Sequence, residues 1–176
     1  MNAAATAGAQ RVGWLGDLDD VQRLAVRWLR HWERDPKQQA ELHSLLASGL
    51  GVERARNAVA VFGDLMEIGG QYGRRQLCRH GCSCRCLGAD EAVFAHMVSA
   101  AANGETEDAA LLAALVVRPD MAMCFAGLAA EFGMALAAAS RVFAARPRPS
   151  RSDNQGAKRR NPSEPHVSLA SRPTLH

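Results

Sequence analysis

Long apolar runs are missing from this chain of 176 residues. The most hydrophobic block, residues 121–145, is broken by Glu131, Ser140, Arg141 and two glycines, which fits a buried helix better than a membrane span. The first ten residues are alanine-rich but have neither a basic lead nor a continuous apolar segment, so no secretory leader is expected. The expected location is the cytoplasm, with no membrane association.

Aromatic residues are also scarce, with three Trp, one Tyr and five Phe. Alanine is abundant, and a composition rich in alanine and poor in aromatics favours closely packed helices over sheets. Several catalytic signatures are absent: a phosphate-cradling glycine loop before Lys-Ser/Thr, His-Glu-x-x-His, Gly-x-Ser-x-Gly and a paired Glu-x-x-His. Their absence removes the usual nucleotide, zinc-protease, hydrolase and di-iron readings; a non-enzymatic role is the first expectation, with enzyme activity left open.

The formal charge of +3 is unevenly spread. Residues 146–176 carry seven basic and two acidic side chains, a net of +5, which leaves the rest at −2. That tail also holds five prolines and almost no large apolar residue. It cannot bury enough surface to offset the entropy of ordering, and is expected to be disordered. Lys158, Arg159 and Arg160 make it a candidate nucleic-acid contact.

Helical periodicity organises the remainder. Residues 1–16 are expected to be a flexible lead, followed by one helical domain over 17–145. Asp17 is the expected first cap, with Leu18, Val21, Ala25, Trp28, Leu29 and Trp32 on one face and Arg23, Arg27, Arg30 and Arg34 on a solvated one. Asp35-Pro36 restarts the helix, and Leu42, Leu45 and Leu46 form the next apolar face. Val52, Ala55, Val59, Phe62 and Met66 form a third, stopped by Gly69-Gly70. Asp90 and Glu91 open a fourth helix as first-turn acidic residues, with Val93, Phe94, Met97 and Val98 in its core. Thr106 caps a fifth that buries Leu111, Leu112, Leu115 and Val116. The last buries Met121, Phe125, Leu128, Phe132, Leu136 and Phe143, and Gly127 and Gly133 admit close neighbours. On it, Met121, Met123 and Met134 read as core filling and Cys124 as a buried thiol. The expected fold is all-α, with about six helices in two groups of three (17–68 and 89–145) joined by a Gly/Cys-rich loop over 69–88.

That loop concentrates the chemistry. Cys78, Cys82, Cys84 and Cys86 fall within nine residues, with His80 among them and His96 beyond. Thiolates with an optional imidazole are the soft donor set that zinc takes in a closed site. The Cys-x-Cys spacing is expected to set its side chains too close for a relaxed disulfide while letting both sulfurs reach one ion. Arg74, Arg75, Arg79 and Arg85 would offset the charge of such a centre. Zinc is the first reading of the cofactor, with Cu(I) or an iron–sulfur cluster behind it. The spacing is not a pair of Cys-x2-Cys knuckles, so redox-active thiols in a sensor or thiol enzyme stand as the alternative. The functional expectation is a regulatory or adaptor protein, braced by metal, with a protein partner.

Overall fold

The computed structural model describes residues 7–34 and 36–145. The expected cap Asp35 and the tail, including Lys158, Arg159 and Arg160, lie outside the described residues. A short strand β1 (Arg11–Trp14) and a 3-10 turn (Leu15–Asp17) lead into α1 (Asp20–His31), α2 (Pro36–Leu50) and α3 (Val52–Gln71). Strand β2 (Cys86–Gly88) runs directly into α4 (Ala89–Ala102), followed by α5 (Thr106–Val116) and, after a 3-10 turn at Pro119–Met121, α6 (Ala122–Ala145). The fold is mostly all-α, as composition and periodicity indicated.

Local chemistry explains most boundaries. The cap of α1 is Asp19 rather than Asp17: its carboxylate accepts from the Gln22 amide at 2.8 Å while the Gln22 side chain accepts from the Asp19 amide at 3.2 Å. This reciprocal pair satisfies donors that a helix start leaves open. Asp17 belongs to the preceding turn, where it accepts from the Trp14 amide. The cap of α5 is Glu105, and Thr106 is its first helical residue. Helix α3 runs through Gly69-Gly70 to Gln71, so the stop expected at these glycines does not occur; a Cβ at Gly69 would lie 3.5 Å from the Phe125 ring.

Helix α6 is the hub, packing against each of α1 to α5. The stretch Pro119–Val142 is long and apolar enough to cross a membrane by length and composition, yet Phe125, Ala129, Phe132, Leu136 and Ala139 face the bundle core. The few aromatics converge there. Phe62 meets Trp28, Trp32, Phe94 and Phe132 with ring centroids 4.6 to 6.3 Å apart, a spacing at which tilted rings attract beyond their buried area. The two sequence groups of helices share this one core.

Some expected core positions face outward. Leu111 and Leu115 are exposed while Ala109 and Ala113 are buried, so α5 packs through its small residues and comes close to its neighbours. Met123, Met134 and Cys124 are exposed, not core. Gly133 does admit a neighbour: a Cβ there would meet the Val98 carbonyl at 2.6 Å, whereas Gly127 faces open space. The Phe143 side chain lies outside the described ones.

Within the expected flexible lead, residues 11–14 form β1. Its partner is β2, in antiparallel register Arg11↔Gly88, Gly13↔Leu87 and Trp14↔Cys86, with a bulge between Arg11 and Gly13. The Ala89 amide donates to the Gln10 carbonyl and the Leu15 amide to the Arg85 carbonyl. Leu18, Val26, Leu87 and Ala95 form a small apolar cluster that fastens this ribbon to α1 and α4.

Candidate metal and thiol centre

The cysteine loop joins α3 to β2 and is held by its backbone. Arg30, expected on a solvated face, is 1% exposed and spends all five donors on this loop and its neighbour. Its Nε and Nη2 donate to the two oxygens of Glu91 at 2.8 and 2.7 Å. Nη2 also donates to the Cys86 carbonyl at 2.7 Å, and Nη1 to the carbonyls of Cys84 at 2.6 Å and Gly81 at 3.4 Å. A planar guanidinium with five fixed donors can bind a carboxylate and three carbonyls at once, which a lysine cannot.

Glu91 completes the knot from the start of α4. It is fully buried and also accepts from the His80 amide at 2.8 Å and the Gly88 amide at 3.0 Å. Burial alone would raise its pKa, but Arg30 and the amides of Gly88 and His80 outweigh that and hold it below the usual glutamate value. Asp90 repeats the pattern. Burial opposes its charge, while a bidentate Arg75 and the Cys78 amide keep its carboxyl below the ordinary range. Neither acid is a simple first-turn charge, as the sequence suggested; both fix the loop. Arg34 donates to the carbonyls of His80 and Arg79, and Arg79 donates back to those of Leu29 and Trp32.

Within this cage the Sγ atoms of Cys84 and Cys86 and a ring nitrogen of His80 lie within 4.8 Å of one another, a group able to hold a metal ion. Cys84 and Cys86 are joined by a disulfide, their Cα atoms 5.5 Å apart. The spacing argument against that bond therefore fails. Extended chain would hold Cα atoms two residues apart at about 6.6 Å; the backbone instead bends here to 5.5 Å, an ordinary separation for bridged cysteines. Arg30, gripping the carbonyls of both residues, sets that backbone. The same sulfurs serve an ion only as thiolates, after reduction.

His80 is oriented for either role. Its Nε2 lies 2.9 Å from the Ala9 carbonyl, which only accepts, so Nε2 carries a hydrogen. In that tautomer of the neutral ring Nδ1 carries the lone pair an ion would take, whereas the two atoms beside it with the disulfide closed, Glu91 Oε2 and Cys86 Sγ, are acceptors that favour a hydrogen there. Nδ1 lies 3.5 Å from Cys86 Sγ and 3.3 Å from Glu91 Oε2. A ligand imidazole whose other nitrogen donates to a backbone carbonyl is the usual outer arrangement of a metal site. Gly88 makes room for it, since a Cβ there would sit 3.0 Å from the ring.

The other expected ligands stand apart from this group. Cys78 is half-buried near Asp90, and its amide donates to that carboxylate. Cys82 is exposed, its thiol 3.7 Å from the Arg30 carbonyl. His96 lies on α4, within 3.2 Å of the Gln22 side chain. Arg30 carried one sequence signal that pointed to its burial: it stands four residues after the buried Val26, on the same helical stripe. The Ala9 carbonyl carried none.

Comparison with protein-family models, with curated proteins and with solved structures gives no match to this chain.

Proposed function

We propose that this is a non-enzymatic regulatory or adaptor protein in which Cys84, Cys86 and His80 hold a zinc ion that braces the loop for contact with a protein partner. The observation that supports it is the convergence of three donor atoms within 4.8 Å, with the outer nitrogen of His80 already on the Ala9 carbonyl. Two thiolates and an imidazole suit zinc, with Cu(I) the next candidate. The exposed Trp14 and Val12 of β1 are the surface beside the loop that a partner would meet. In the test, reduced metal-free protein is titrated with zinc against a chelating indicator. One ion per chain is expected, with affinity at least about tenfold weaker in Cys84→Ser, Cys86→Ser and His80→Ala, and unchanged in Cys124→Ser. No stoichiometric binding, or equal weakening by Cys124→Ser, would overturn this reading.

The Cys84–Cys86 bond supports a second reading, a thiol redox sensor. The two sulfurs either bond each other or bind an ion, so oxidation would close the pair and expel metal. Titration across a glutathione redox series, read by alkylation and mass, tests it: a reversible two-electron transition confined to Cys84 and Cys86 is expected, and its absence refutes the reading.

A further inference from the structure

The two sulfurs of the disulfide have different surroundings. Cys84 lines a surface cleft of about 540 Å³, walled also by Trp14, Leu15, Cys82 and Arg85. Cys86 is absent from that lining. It belongs to β2, paired with Trp14, and its Sγ sits 3.5 Å from His80 Nδ1. Cys84 and Cys86 are both half-buried, but only Cys84 borders this cleft, so a molecule seated in the cleft meets the bond at the Cys84 end, while Cys86 faces an imidazole held by the Ala9 carbonyl.

The geometry points to a directional thiol–disulfide exchange site, in which Cys84 is the attacked sulfur, Cys86 the leaving group, and the substrate a cysteine thiol carried on a peptide. This rests on the redox reading above. A substrate thiolate attacks Cys84 Sγ; the Cys84–Cys86 bond breaks, a mixed disulfide forms, and Cys86 departs as a thiolate beside His80. A second thiolate of the substrate attacks the substrate sulfur of that mixed disulfide, and Cys84 departs. The substrate dithiol becomes a disulfide, two electrons pass to the Cys84 and Cys86 pair, and the protons lost by the substrate thiols return to the two cysteines or to solvent. The oxidant is the Cys84–Cys86 bond itself.

Peptide substrates are favoured by the cleft wall. Trp14 is half exposed and Val12 on the same strand is 56% exposed, so an apolar surface lies beside the attacked sulfur. Arg85 adds a cation at the rim. A small thiol gains nothing from these groups, whereas a peptide can lie against them.

Full-length chain carrying Cys82→Ser, which removes the competing cleft thiol, tests the direction. With Cys78→Ser and Cys124→Ser added to that background, Cys86→Ser leaves Cys84 as the single thiol and Cys84→Ser leaves Cys86. Each is mixed with the disulfide of a single-cysteine decapeptide, with glutathione disulfide, or with the disulfide of mercaptoethanol, and mixed-disulfide formation is followed by mass. Exchange at Cys84 is expected to be at least about tenfold faster than at Cys86. Trp14→Ala is expected to slow the decapeptide several-fold while leaving the mercaptoethanol reaction unchanged. Glutathione grouping with the decapeptide identifies a free tripeptide as sufficient; grouping with mercaptoethanol identifies a longer chain as the substrate, and either supports a peptide thiol. Equal or faster exchange at Cys86, or equal effects of Trp14→Ala on all three probes, overturns the proposal. If a serine variant does not fold, acid-quenched exchange of the wild-type protein with the decapeptide thiol, mapped by proteolysis, gives the same answer by showing whether the adduct sits on Cys84 or Cys86. If oxidised wild-type protein never forms the Cys84–Cys86 bond, the redox reading itself fails; if the bond forms but exchange enters at Cys86, only the direction fails.

Discussion

Trp28 and Arg30 stand two residues apart on α1, and each is 1% exposed, yet they are buried for opposite reasons. Trp28 enters a cluster of rings around Phe62, where attraction is summed over many weak contacts and tolerates small shifts. Arg30 enters a polar knot in which every donor meets a named acceptor. Burial by dispersion builds the bundle; burial by directional bonds builds the loop. A charge taken out of water is tolerable only while its partners remain, so the knot specifies one loop geometry where the ring cluster specifies only a filled space.

The largest test of this contrast pairs Glu91→Ala with Phe62→Ala. Glu91→Ala leaves a buried guanidinium without its carboxylate and is expected to cost about 3–5 kcal/mol in urea unfolding, and to slow closure of the Cys84–Cys86 disulfide. Phe62→Ala is expected to cost a similar amount, about 3–5 kcal/mol, without changing disulfide closure under conditions where the protein stays folded. Equal loss of closure in both variants would mean that loop and bundle are a single cooperative unit.

A smaller effect separates two glycines on α6. Gly133→Ala would push a methyl into the Val98 carbonyl and is expected to cost about 1–3 kcal/mol as overpacking. Gly127→Ala meets open space and is expected to stabilise by roughly 0.5–1 kcal/mol through helix propensity. Thermal unfolding of both variants checks the signs, and matching signs would break the assignment of Gly133 to a close helix crossing.

Acid gives the smallest and most selective probe. The carboxyls of Asp90 and Glu91 titrate below their ordinary values when folded. Near pH 4 the unfolded chain therefore binds more protons, and stability rises with pH there. Their contribution is complete above the unfolded carboxylate range and is lost as pH falls through the lower folded values. Urea unfolding between pH 7 and 3 should show this loss in the wild type and a shallower loss in Glu91→Gln, which starts less stable at neutral pH. Identical slopes would exclude Glu91 as a source.

Most of the bundle was legible because its signals are local. Ala25, Trp28, Phe62, Phe94, Phe132 and Leu136 fall on helical stripes and are buried where periodicity put them. Failures occurred where tertiary packing overrode the stripe: α5 turns Ala109 and Ala113 inward in place of Leu111 and Leu115. The concentration of cysteines was legible, and so was the place of His80 beside two of them. The cage was not, because Arg30 and Glu91 are 61 residues apart and each has a commoner local explanation, as a solvated helix cation or a first-turn acid. The short strand β1 has too few residues to show an alternating pattern.

That ribbon has a consequence for the order of assembly. His80 is oriented by a carbonyl 71 residues earlier in the chain, and Trp14 pairs with Cys86 across a similar span. Closing so long a loop has an entropic cost that no local contact offsets. Helices α1 to α3 can form from nearby residues, whereas the imidazole reaches its place beside the sulfurs only once the N-terminal strand has come back across the bundle. The cysteine centre is thus expected to form late, and its reactivity to report that the N-terminal strand has reached the loop after α3.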